Sequence, residues 1–114
     1  MNTVDLRSFD LSPDDREAIA LALPMISYAG DLHDTDAQYE RAVGTAKIIM
    51  SRIEHGANLF TLAEFGIILL AVDLARNATL DCALYDVAPE YLSALQKYRF
   101  QYSRLVAVLQ TDHK

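Results

Sequence analysis

From Thr61 to Ala75 the chain is apolar on nearly every side of a helix. The stretch opens with Thr61-Leu62-Ala63-Glu64, a capping box. In such a box the hydroxyl accepts from the Glu64 amide and the carboxylate reaches back. Glu64 and Asp73 are its only charges, and at about 100° per residue they fall on opposite faces. A helix of this kind has to be covered all round. In 114 residues that requires either a central position or contact with another molecule. Phe65 and Ile68 are the candidates for such a contact. The uncharged run from Phe65 to Val72 falls well short of the roughly 20 apolar residues of a membrane span, so it predicts a core helix.

The other elements have to supply the cover. Helix 1 is predicted over 12–30, with Ser12 as N-cap and Pro13 in the first position. Ala18, Ile19, Ala22, Met25, Ile26 and Ala29 give it an apolar face. Pro24 removes a backbone donor and predicts a kink or break near Leu23. Helix 2 is predicted over 35–56, where Thr35 and Gln38 resemble a capping box. Tyr39, Val43, Ala46, Met50, Ile53 and Ala57 form a 4-3-4-3-4 seam, and Gly56 suits a left-handed C-cap. Helix 3 covers 61–77, ending at Asn77, and residues 79–85 allow a short helical turn. Helix 4 covers 88–110, with Pro89 at its start and Tyr91, Leu95, Tyr98, Tyr102, Leu105 and Leu109 on the same spacing. The arm 1–11 carries Val4, Leu6, Phe9 and Leu11, either as an extended strap or as a loose tail. No long alternating pattern appears. The expectation is an all-α chain, folded as one compact antiparallel bundle of about four main helices.

Charge is unevenly placed. The formal net charge of -6 sits entirely in residues 1–36, while residues 37–114 balance. A sequence pI near 4.8 speaks against direct nucleic-acid binding, which needs clustered Lys and Arg. Asp10, Asp14, Asp15 and Glu17 form a candidate acidic surface. The single cysteine, Cys82, cannot make an internal disulfide and reads as a small packing residue. No basic flank precedes an apolar run at the N-terminus, so the expected compartment is the cytoplasm.

Catalytic constellations are hard to find. Asp31, His33, Asp34 and Asp36 are the densest polar cluster and the only candidates for a divalent ion. The plainer reading is a solvated turn whose carboxylates cap the next helix. His33-Asp34 resembles the pair used by metal-dependent phosphohydrolases, but the further His and Asp residues those enzymes need are missing. Glu54 and His55 are adjacent, not spaced as Glu-x-x-His, so a dinuclear carboxylate site has no ligand set. There is no glycine-rich phosphate loop and no Gly-x-Ser-x-Gly elbow. Asp73 has Arg76 and Asn77 as natural partners, or else a register-fixing pair with Arg99 or Arg104.

Six tyrosines and no tryptophan complete the inventory. Tyr91, Tyr98 and Tyr102 share a face and are candidates for an aromatic interface. The reading that follows is a non-enzymatic helical protein that acts through protein–protein contact, self-associates and uses no cofactor. One alternative is an acidic inhibitor or decoy that meets a basic partner through residues 5–36. Another is a small-molecule or metal-binding bundle with its site near His33 or between the tyrosines.

Overall fold

The computed structural model describes residues 2–111; Met1, the first residue of the expected arm, lies outside them. The described residues are mostly helical, with five α-helices and one two-stranded sheet. The arm is an ordered strap. Strand β1 (Thr3–Asp5) pairs antiparallel with β2 (Leu59–Thr61), Val4 opposite Phe60. This small sheet departs from the all-α expectation. Three-residue strands are too short to show alternation, and their pairing is set by partners 56 positions apart, Val4 and Phe60. After β1 a 3-10 turn, Leu6–Phe9, buries Leu6 and Phe9, and the Phe9 ring stacks on Phe65 at 5.6 Å.

Helix α1 (Pro13–Ala22) starts as its sequence dictates. Ser12 Oγ accepts from the Asp15 amide, and the Asp15 carboxylate accepts from the Ser12 amide. Helix 1 was expected to reach residue 30, but α1 stops at Ala22. Pro24 cannot donate, and the chain continues as a 3-10 coil, Leu23–Tyr28, followed by a second, Gly30–Leu32. Helix α2 (Asp36–Glu54) is capped by Thr35, whose hydroxyl accepts from the Gln38 amide. Gln38 Oε1 accepts from Asp34 N–H and not from Thr35, so the box is displaced by one residue. At the other end Gly56 has φ 87°, with Gly56 N–H donating to Ile53 C=O and Ala57 N–H to Arg52 C=O. These two bonds form a Schellman cap.

Helix α3 (Leu62–Leu80) keeps both halves of the Thr61–Glu64 box and runs three residues past the expected Asn77. The helical turn expected at 79–85 is absent because α3 itself extends to Leu80. The α3 helix packs against α1, α2, β1, β2, the Leu23–Tyr28 coil and both following helices. Phe65, Ile68, Ala71, Val72, Leu74, Ala75 and Ala78 are buried. The helix expected at 88–110 is two: α4 (Pro89–Gln96) and α5 (Arg99–Thr111). They meet at a tight turn in which Lys97 and Tyr98 donate to Ala94 and Leu95. With this split and the 3-10 coils, the layout is not a plain four-helix bundle.

Candidate functional site

The structure disperses the residues expected to form a site. Asp31, His33, Asp34 and Asp36 do not converge. Among the described residues no three of His, Cys, Asp and Glu are placed to hold a metal ion. The His33 ring lies edge-on to Tyr39 at 6.0 Å, and its Nε2 is buried without a hydrogen-bond partner. Asp36 occupies the first turn of α2, where the helix dipole favours a carboxylate. Cys82 is exposed, contrary to its expected packing role; Gln96 Nε2 lies 3.4 Å from its sulfur.

The acidic surface is smaller than expected. Asp15 is only 3% exposed and pairs with Arg104 of α5 while capping α1, so it is a buried structural carboxylate and not surface. Burial pushes its pKa up, but Arg104 and the Ser12 amide outweigh that and hold it below the ordinary range. The far partner suspected for Asp73 thus belongs to Asp15. Asp73 itself takes Arg76, Nη2 to Oδ1 at 2.9 Å, the nearer of its two options. Asp10 closes the first 3-10 turn with φ 55°, a left-handed conformation that Asp tolerates. Asp14 and Glu17 stay exposed; desolvation raises the Tyr98 pKa, and Glu17, which accepts from its hydroxyl, and Asp14 raise it further.

The tyrosines serve the interior. Tyr102 is fully buried and its hydroxyl donates to Ala18 C=O at 2.8 Å. The Tyr91 hydroxyl donates to Leu21 C=O at 2.5 Å and faces the Met25 amide. It therefore sits in the i→i−4 ladder at the point where α1 becomes a 3-10 coil. Tyr39 donates to Ser27 C=O at 2.5 Å. Burial raises the pKa of Tyr91 and Tyr102, so both stay protonated donors. Of the five interface candidates, Phe65, Ile68 and Tyr102 are covered by the chain's own elements. Tyr91 and Tyr98 are half-buried.

The outer face of α3 is also left open, as are Phe100, Ile48, Leu32, Leu59 and Leu84 elsewhere on the surface. Leu62, Gly66, Leu69, Asp73, Arg76 and Leu80 recur at 4-3-4-3-4 and form one stripe, with Leu70 beside it. Leu62 is 49% and Leu80 73% exposed, while Leu69 and Leu70 are half-buried. Gly66 is exposed, and a Cβ there would meet nothing within 4 Å. Packing within the chain therefore does not account for a glycine in mid-helix, which costs up to about 1 kcal/mol relative to alanine. The spacing that revealed the seams of the neighbouring helices was present here too. It was hidden because every other face of the stretch is also apolar.

No family model, curated protein or solved structure matches the chain.

The 4-3-4-3-4 spacing reads the same in both directions about Ala71. Leu62 and Leu80, Gly66 and Arg76, and Leu69 and Asp73 are each equidistant from the level of Ala71. No described helix is long and apolar enough to cross a membrane.

Proposed function

We propose that this is a non-enzymatic interaction protein that pairs with a second copy of itself through the outer face of α3. One observation carries the reading: the stripe places an exposed leucine at each end, symmetric about Ala71. A two-fold interface uses the same patch on both subunits, so the patch has to complement itself. In an antiparallel pairing Leu62 of each copy meets Leu80 of the other. Gly66 lies opposite Arg76, and its missing side chain leaves room for the long guanidinium. The Asp73–Arg76 pair, which is neutral overall, sits near the axis, so the net charge of -6 per chain is kept away from the contact. Light scattering on the purified protein at tens of micromolar then gives a dimer mass, and Leu69→Glu with Leu80→Glu gives a monomer with an unchanged helical spectrum. A wild-type monomer at that concentration would end the proposal.

A further inference from the structure

Pro24 has a second effect, between the first and second helices. Where α1 gives way to the narrower 3-10 coil, its turns no longer mesh with those of α2. A hollow of about 160 Å³ opens between them, walled by Leu23, Ile26, Val43, Ala46 and Met50. Val43 and Met50 belong to the expected α2 seam, yet they remain half-buried, because this hollow occupies the space they would have filled. An apolar cavity of about 150 Å³ is large enough for benzene.

The polar groups of the hollow are already committed, with one exception. Ser27 Oγ donates to Pro24 C=O at 2.8 Å, and Ser27 C=O accepts from Tyr39. Lys47 stands exposed at the rim and forms no ion pair among the described residues. Past Pro24 and Met50 the hollow adjoins a wider groove lined by Arg16, Glu17, Glu54 and Ile53. Arg16 is spent there on the carbonyls of Ile53 and Ala57 and on the Asn58 side chain. Its charge remains, and with Glu17 and Glu54 it leaves that end of the groove negative by one. An anion is repelled at the groove end and attracted at the Lys47 end.

We infer that the hollow is a binding site for a small organic carboxylate with one compact apolar group, about one ring in size. The apolar group seats against the open faces of Pro24, Val43 and Met50, above the buried Leu23, Ile26 and Ala46, and the carboxylate meets the Lys47 ammonium. Size comes from the cavity, apolarity from its walls, and charge from the one uncommitted cation on its rim. This site is independent of the α3 stripe and does not rest on self-association.

Methyl-resolved NMR titration with phenylacetate and with neutral 2-phenylethanol tests it. Phenylacetate is expected to shift the methyls of Leu23, Ile26, Val43 and Ala46, and to bind several-fold tighter than the alcohol. Lys47→Glu, a change on an exposed residue, is expected to weaken phenylacetate at least about fivefold and to leave the alcohol unaffected. Val43→Trp fills the hollow and is expected to abolish both, with the far-UV spectrum confirming the fold. Absence of shifts at these methyls at tens of millimolar phenylacetate would overturn the site. Equal binding of phenylacetate to wild type and Lys47→Glu would overturn the assigned anion.

Discussion

Two apolar stretches cross the centre of this protein and are held by different means. The α3 helix runs unbroken from Leu62 to Leu80 and satisfies its own backbone, so what it needs from the rest of the chain is apolar cover. The stretch from Pro13 to Tyr28 is broken at Pro24, and its carbonyls need donors from elsewhere. Tyr39 of α2 and Tyr91 of α4 supply them at Ser27 and Leu21, and Tyr102 of α5 adds a bond to the Ala18 carbonyl inside α1. Each brings a hydroxyl on a rigid apolar body, so one side chain fills the core and completes the backbone. The difference shows why an apolar seam can be rich in tyrosine without being an interface. A continuous helix asks its neighbours for volume; an interrupted one asks them for volume and hydrogen bonds.

The largest expected effect strikes the unbroken helix. Ile68 is fully buried, and Ile68→Asp places a carboxylate where nothing can pair with it. The loss is expected to exceed about 4 kcal/mol, a large share of a small domain's stability, and to leave no cooperative melt by circular dichroism. A melting temperature close to wild type would refute the central place of α3.

Next comes the pin at the start of the broken stretch. Asp15→Asn removes the Arg104 pair and weakens the cap, and is expected to cost about 2 kcal/mol at pH 7. Asp15 has its pKa depressed in the folded state, so its contribution is complete above the ordinary Asp range near pH 4. It is lost as the pH falls through the depressed value. Glu64 behaves alike, because the Thr61 amide and Arg52 hold its pKa down against burial. Urea titrations of wild type and Asp15→Asn should therefore differ most above pH 5 and converge as the pH drops below about 4. A gap that persists at pH 2 would mean that Asp15 acts by shape alone.

A smaller effect separates the tyrosines. Tyr91→Phe takes the hydroxyl out of the ladder between Leu21 and Met25 and is expected to cost about 1–2 kcal/mol. Tyr39→Phe, at a more exposed bond, is expected to cost less than 1 kcal/mol. Equal losses for the two in urea unfolding would remove the special place given to the break. The smallest effect is a gain. Gly66→Ala, where nothing obstructs a Cβ, is expected to stabilise the fold by about 0.5–1 kcal/mol. Urea unfolding of the variant against wild type at low micromolar concentration checks it.

Much of this contrast is legible in the sequence because its causes are local. Ser12-Pro13, Thr35 and the Thr61–Glu64 box start their helices where expected, Pro24 breaks the first at Ala22, and Gly56 closes the second. What could not be read depends on distant partners. The β1–β2 pairing joins Val4 to Phe60, and the Asp15–Arg104 pair spans 89 positions. The division of α4 from α5 has no proline or glycine to announce it, and the Leu95, Tyr98, Tyr102 spacing continues across the turn as if the helix were whole. The open stripe on α3 was obscured for another reason: a helix apolar everywhere does not say which face its own chain leaves bare.

The strap at the start of the chain has a consequence during synthesis. Val4, Leu6 and Phe9 are made first, but their partners Phe60 and Phe65 appear some 50 residues later. At about 5–20 residues per second the growing chain carries an unpaired apolar segment for several seconds. For that interval the segment that becomes β1 has no strand to pair with, and whatever binds the nascent chain there competes with Phe60 and Phe65.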